Sequence, residues 1–466
     1  MVFSSVPFLY YFLPGCVLLY FLAPRRLKNA ALLLCSLLFY AWGEPNYVLL
    51  LLLSISQGYA AALLIERYRT RRIAALARTA SVVLSLALLA VFKYAGFFLE
   101  NFRAVTGLPV TVLRLALPAG ISFYTFQILS YVLDVWYGRA PAQRSFVNLA
   151  TYIAMFPQLI AGPIVRYTDI AAQLKQRTVT LAGAASGARR FAVGLAKKVL
   201  LADSLAAIGA AWRATAQPSV LFAWLYAVSF LLQIYFDFSG YSDMAIGLGR
   251  LFGFSFPENF NYPYISASIT EFWRRWHISL GTWFRDYLYI PLGGNRTSRA
   301  KWYRNLLIVW AATGLWHGAA WNFLLWGLLF AVLLIAEKQF LRPVLEKSRV
   351  FSHIYVLFFI TLSFVLFDAD SISSAAGTLG ALFGAGGLTG ATQEALYLLR
   401  SNAVLLAIAA VGATPLPRRL CGALESSRAG ARVLSVLEPL GTLALLVLCT
   451  AYLVDGTFSP FLYFRF

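Results

Sequence analysis

Three histidines occur in 466 residues: His277, His317 and His353. Imidazole is the side chain best matched to moving a proton near neutral pH, so proton-transfer chemistry is sought at these three positions first. His317 stands in Gly314-Leu-Trp-His-Gly-Ala-Ala-Trp-Asn322, between two apolar runs. Trp316, Trp321 and Trp326 supply bulky, low-dielectric walls, and Asn322 could orient a substrate or the ring. An ionisable group at membrane depth is costly and commonly faces a cavity or a pathway. Burial also keeps an imidazole neutral, which readies it to take a proton from a hydroxyl. The plainer alternative is a ring hydrogen-bonded to a neighbouring helix, and the residue types leave both readings open. His277 lies in Phe272-Trp-Arg-Arg-Trp-His277, and His353 opens a later apolar run beside Ser352, where it reads as interfacial.

Other chemistries lack parts. There is no G-x-S-x-G elbow, no H-E-x-x-H, no Walker loop and no G-x-G-x-x-G, and scattered histidines without a carboxylate or thiol cluster make no metal site. A base without an evident protein nucleophile points to direct transfer between two bound substrates. A second polar cluster runs from Gln233 through Asp237, Ser239, Gly240 and Tyr241 to Asp243. It reads either as a helix–loop–helix broken at Ser-Gly with Asp243 as a cap, or as a polar wall of the same pathway. Arg166, Lys197 and Lys198 read most simply as interfacial cations; alternatively each of them, Arg166 and Lys197 foremost, holds a phosphate-bearing donor.

These groups need a scaffold, and composition says which kind. Hydrophobic residues make up 60% of the chain and charged residues 12%, whereas soluble domains are roughly a quarter charged. Mean hydropathy is +0.71. A soluble enzyme, a disordered chain and a nucleic-acid module are excluded, and continuous apolar runs without alternation exclude a β-barrel. The expected fold is all-α, a polytopic integral membrane protein. Apolar runs fall at 6–24, 29–43, 46–65, 79–99, 115–136, 146–165, 190–211, 219–236, 239–254, 305–316, 319–336, 352–367, 397–414 and 436–454. Several are too short to cross alone, which leaves about eleven spans plus re-entrant or interfacial helices.

The net charge of +20 sits in short loops, so the partner it implies is membrane lipid rather than nucleic acid. Basic loops at 25–28 and 66–78 read as cytoplasmic, which puts the N-terminus outside. Four cysteines form no framework: Cys16, Cys35 and Cys449 lie in apolar runs and Cys421 in a basic loop. Residues 371–392 are Gly-rich and read as a surface loop with one short helix. Residues 255–304 are dense in aromatic and charged side chains. A capping box at Ser268-Ile-Thr-Glu271 predicts a helix start, and spacing then places Trp273, Trp276, Leu280, Phe284 and Tyr287 on one face of a single interfacial helix ending at Pro291-Leu-Gly-Gly294. The run 305–316, short and flanked by basic segments, predicts a hairpin or re-entrant element that breaks near His317-Gly318.

Glu271-Phe-Trp-Arg-Arg-Trp-His277, the block from Trp283 to Arg296 and Leu315-Trp-His-Gly-Ala-Ala-Trp-Asn322 resemble the membrane-bound O-acyltransferase family, most closely its bacterial alginate O-acetylation branch. The likeness extends to Ser122–Gln127, Phe156–Pro163, Lys197–Asp203, Gln233–Asp243 and the ending Pro460–Phe466. It implies one transmembrane domain over 1–466, with N-terminal spans in 1–115, a catalytic core in 116–345 and C-terminal spans in 346–466, arranged around a central channel. It implies His317 as the catalytic histidine and His277 as a second channel residue, with Trp316, Asn322, Trp276, Asp237 and Tyr241 lining the channel. No bound cofactor is implied; the co-substrate is an acyl thioester, acetyl-coenzyme A or an acyl carrier protein, entering from the cytoplasm. The acceptor is an exported or cell-wall polysaccharide, reached directly or through a periplasmic acetyltransferase partner, and the location is the bacterial inner membrane. D-alanyl or longer-acyl transfer to teichoic acid, lipid or protein is the alternative, and a non-enzymatic channel the more distant one. The chain departs from the family pattern at Asp368, Gly281 and Ser459, which points to a different acceptor or a different surface for docking it.

Overall fold

Among the described residues every regular element is a helix, mostly α with short 3-10 and π turns. The structure, a computed structural model, describes residues 2–113, 115–456 and 461–462. Ser459, Pro460 and 463–466 of the closing motif lie outside them.

Among the described residues six helices are long and apolar enough to cross a membrane: Pro45–Arg67, Arg72–Thr106, Val220–Leu251, Trp321–Leu345, Arg349–Asp368 and Arg428–Asp455. The pair Gln393–Ser401 and Ala403–Gly412, bent by 55°, would make a seventh. The expectation of about eleven also counted shorter runs. Two of these fold as 16-residue helices, Lys28–Gly43 and Ile121–Trp136, about 24 Å long against a hydrocarbon core of about 30 Å. The run 146–165 stops as a helix at Ala154 after nine residues.

The chain divides into two compact units, Met1–Phe191 with Tyr241–Glu258, and Ala192–Gly240 with Asn259–Phe466. In the first, α1 (Lys28–Gly43), α2 (Val48–Arg67), α3 (Arg72–Thr106) and α4 (Ile121–Trp136) carry most of the bundle. Its core is aromatic: Phe3, Phe8, Phe39 and Phe156 meet at ring distances of 4.9 to 6.3 Å. Cys16 and Cys35 are buried there as free thiols.

The boundary between the units runs through two helices, α5 (Leu181–Ala196) and, after α6 (Asp203–Ala214), the long α7 (Val220–Leu251). α7 corrects one expectation. It passes through Ser239-Gly240 without a break, so there is no helix–loop–helix and Asp243 caps nothing. Gly240 serves close approach instead: a Cβ there would lie 2.7 Å from the Gly194 carbonyl oxygen. Asp243 accepts two hydrogen bonds from Arg190, at 2.9 and 2.8 Å.

The second unit holds the rest of the chemistry. The single interfacial helix expected from Ser268 onward is two helices, α8 (Ile269–Arg275) and α9 (Ile278–Phe284), separated at Trp276-His277. Its start was read correctly, since Ser268 Oγ accepts from the Glu271 N–H at 3.0 Å. The Glu271 carboxylate reaches the N–H of Ala267 rather than that of Ser268. The expected hairpin is present: α10 (Arg299–His317) ends at Gly318 and α11 (Trp321–Ala336) begins three residues later, packed back against it. Glycine makes that contact possible, because a Cβ on Gly327 would lie 2.2 Å from the Trp310 carbonyl oxygen. After α12 (Arg349–Asp368), the Gly-rich stretch contains one helix, Ile372–Leu382, capped by Ser371.

Candidate active site

His317 is the last residue of α10, and the break after it turns the ring into a small cavity. The cavity holds about 30 Å³, room for a water molecule or two. Its walls are Ile234, Asp237 and Phe238 of α7, Trp276, Trp326 of α11, Phe364 and Phe367 of α12, and Leu462. The imidazole meets Trp326 and Phe367 edge-on, at ring distances of 5.0 and 5.3 Å. Among the described lining residues, His317 and Asp237 are the ionisable ones. Trp316 and Trp326 are buried as expected, but Trp321 is 49% exposed and forms no wall. At the first position of α11, its side chain falls on the face opposite Trp326.

His277 does not line the cavity; it stands one ring behind it. Phe238, which does line it, meets the His277 ring at 4.7 Å, and Trp316 lies 5.9 Å from His277 and 5.1 Å from His317. His277 has φ +45°, a left-handed conformation that costs a non-glycine residue about 1–2 kcal/mol. The break frees backbone groups, and the segment 259–261 takes them up. Ile278 N–H donates to the Asn259 carbonyl at 3.0 Å, and Asn261 N–H donates to the Arg275 carbonyl at 2.9 Å.

The same asparagine sets the tautomer of His277. Ser279 N–H, which can only donate, points at Asn259 Oδ1 at 3.2 Å, so that atom is the amide oxygen. His277 Nδ1, 3.1 Å from the same oxygen, must therefore carry the proton. Nε2 is left as a lone-pair acceptor, buried and with no hydrogen-bond partner. Burial pushes the ring's pKa from 6.5 down to about 3, which keeps it neutral.

Asp237 is held by Lys198, whose Nζ lies 2.7 Å from its Oδ1, and by the N–H of Leu462 at 2.9 Å from Oδ2. Lys198 also reaches Asp203 at 2.7 Å. From the sequence Lys198 reads as an interfacial cation or a ligand for a donor phosphate, and Asn259 carries no signal. Neither has a periodicity that would mark it, since each is defined by a partner distant in the chain.

The remaining sequence candidates are dispersed. Trp276 is in the cavity wall. Asn322 is buried beside it, with its amide donated to the Ala369 carbonyl at 2.8 Å. Lys197 is half-buried in the π turn next to Lys198. Arg166 and Tyr241 belong to the first unit. There Arg166 N–H donates to Asp169 at 2.9 Å, and Tyr241 stacks on Phe3 at 4.8 Å. His353 is half-buried, with Nδ1 2.9 Å from the Ser266 carbonyl oxygen.

A larger groove of about 810 Å³ lies close to the cavity in the chain, since Arg274 of α8 lines the groove and Trp276, just after α8, lines the cavity. Arg274, Lys338, Arg342 and Arg349 face it along with two carboxylates. Both carboxylates are committed: Glu337 accepts from Thr270 N–H and Oγ1 at 3.0 and 2.8 Å, and Glu346 pairs with Arg342 at 2.8 Å. The groove is therefore basic.

A helical membrane protein with a buried histidine and carboxylate in one small aromatic cavity fits membrane-embedded acyl transfer. The comparison with known proteins agrees: residues 138–367 match the membrane-bound O-acyltransferase family, and the chain belongs to that family. It is 40% identical over 499 residues to a probable alginate O-acetylase of Azotobacter vinelandii, covering all of both chains. It is 44% identical over 383 residues to the Pseudomonas aeruginosa protein of that name, covering 80% of this chain and 73% of the other. To the peptidoglycan O-acetyltransferase of Helicobacter pylori it is 34% identical over 426 residues, covering 84% and 81%. The matched segment includes both His277 and His317.

Proposed function

We propose that this enzyme moves an acetyl group from a cytoplasmic thioester across the inner membrane for O-acetylation of an exported or cell-wall polysaccharide. His317 is the general base. It takes the proton of an acceptor hydroxyl as that oxygen attacks the thioester carbonyl; the C–O ester bond forms, the C–S bond breaks, and the proton passes to the departing thiolate. His277, neutral with a bare Nε2, serves the same path one ring away, and its route to His317 runs past Phe238 and Trp316. Asp237 and Trp276 shape the cavity, and Asn322 anchors the hairpin on which His317 sits. The acceptor is a sugar polymer or a periplasmic acetyltransferase partner that passes the group on, as the names of the relatives support.

The donor is acetyl-coenzyme A or an acetylated carrier protein. The basic groove supports a phosphate-bearing donor there, and Arg166, Lys197 and Tyr241 remain further candidates for binding and lining. Topologically, the reading is about eleven crossings around a central channel, with the shorter helices crossing where the protein is thin, and the N-terminus in the periplasm.

The observation that carries this reading is that His317 and Asp237 line the same small cavity, of about 30 Å³. The acetyl group itself is supported by the names of the relatives. Replacing His317 by Ala should abolish polymer acetylation while membrane insertion stays normal, read by mass spectrometry of the polymer. Acetylation undiminished in His317→Ala refutes the role, and a D-alanyl or fatty-acyl adduct on the product of the unaltered enzyme refutes the acetyl assignment.

A further inference from the structure

One buried ionisable group has no part in this chemistry so far. Lys198 is 2% exposed, yet its ammonium lies 2.7 Å from each of two carboxylates, Asp203 and Asp237. It stands in the π turn Lys197–Ala202 between α5 and α6, and π turns recur at functional sites. A lysine with one aspartate would be neutral. With the second aspartate the one ammonium is shared between two carboxylates, and Asp237 brings one of them to the wall of the cavity that His317 also lines.

We propose that Lys198, Asp203 and Asp237 form a built-in counter-charge for His317, in which the Asp237 carboxylate is kept ionised to meet the imidazolium that forms when His317 takes its proton. Imidazolium forming among the rings of Trp276, Trp326, Phe364 and Phe367 has little water to stabilise it, so a facing anion lowers the cost of the transfer. A lone carboxylate buried there would take up a proton and lose its charge. Lys198 opposes that, and Asp203 keeps Lys198 from cancelling the anion outright. The N–H of Leu462 fixes the rotation of the Asp237 carboxylate. Lys198 and Asp203 act through Asp237 and are positioning residues.

The other titratable groups near His317 do not supply this charge. His277, beyond the Trp316 ring, is neutral. Asp368, next to Phe367, is paired with Arg213 at 3.0 Å and accepts from Tyr226 at 2.6 Å.

The inference rests on His317 as the proton acceptor, but its test does not need activity. With three histidines in the chain, full-length protein labelled with ¹⁵N-histidine in detergent gives three imidazole signals, assigned with His277→Asn and His353→Asn. The His317 titration midpoint should fall by about one pH unit in Asp237→Asn and in Lys198→Gln. The double variant should fall no further than Asp237→Asn alone, because the lysine acts through the aspartate. Asp203→Asn keeps the Lys198–Asp237 pair and the fold, and should lower the midpoint by a smaller amount. In each case the His353 midpoint should stay in place. A His317 midpoint unmoved by Asp203→Asn and by whichever other variants fold overturns the proposal, as does a wild-type His317 that stays neutral down to about pH 4. Full acetylation by His317→Ala would instead sink the catalytic reading and leave the titration result standing.

Discussion

Two clusters of one cation and two carboxylates sit along the same stretch of chain, and they are built for different ends. Arg190 binds Asp243 and Glu258 in the first unit. Lys198 binds Asp203 and Asp237 in the second. In each, one acid comes from α7 and the cation from α5 or the turn that follows it. Arg190 is 20% exposed at its side chain, with Glu258 more than half exposed, so water shares the load and the planar guanidinium satisfies both acids with a fork of hydrogen bonds. Lys198 and Asp237 are nearly sealed, and the ammonium is a compact point charge without the guanidinium's fork. Burying such a group is expensive, and a hydrophobic replacement would often be as stable. On the proposal above, that cost is borne because Asp237 places a carboxylate on the wall of a cavity containing a histidine.

The comparison can be broken by substitution. Lys198→Gln should reduce acetyl transfer per folded molecule about tenfold or more, whereas Arg190→Gln should leave that quantity unchanged and lower the thermal midpoint instead, by about 1–3 kcal/mol of stability. Equal losses of specific activity in both variants would erase the distinction. An intermediate effect concerns His277. Its folded pKa of about 3 lies below the unfolded value of 6.5, so the unfolded chain binds more protons between those values. The stabilisation is complete above pH 6.5 and drains away as pH falls, by about 2 kcal/mol at pH 5. Thermal melts should show that slope, and His277→Asn, which tolerates the left-handed backbone, should flatten it. The smallest effect is expected at the exposed Arg342–Glu346 pair, where Arg342 is 77% exposed at its side chain. Glu346→Gln should shift neither the midpoint nor the rate, and a measurable loss there would mean the groove's charges are organised more tightly than solvent screening allows.

Legibility differed from region to region for physical reasons. The hairpin ending at His317 could be read because a short apolar run between basic flanks has few ways to satisfy its backbone in lipid. The start of α8 could be read because a serine cap is a local interaction over three residues. The break at His277 could not. The amphipathic period continues straight through it, and only the chain at 259–261, docking onto the freed carbonyl and N–H groups, makes the interruption stable. Ser239-Gly240 misled in the opposite sense, since a glycine placed for close contact with Gly194 looks the same in sequence as a glycine placed for a turn. Asp237 was noticed as polar, and Lys198 was assigned to the interface because a lysine at the edge of an apolar run usually reaches for water.

The sequence by itself determined that this is a helical membrane protein and which family it belongs to, and it singled out the histidines as the residues to ask about. Those properties follow from composition, from short-range patterns and from residues in contiguous blocks. Tertiary structure alone decided which ionisable groups share a cavity, which proton His277 carries and which lysine is buried. Such properties are set by distances between residues far apart in the chain, and by how much water reaches them, and neither quantity is written in local order.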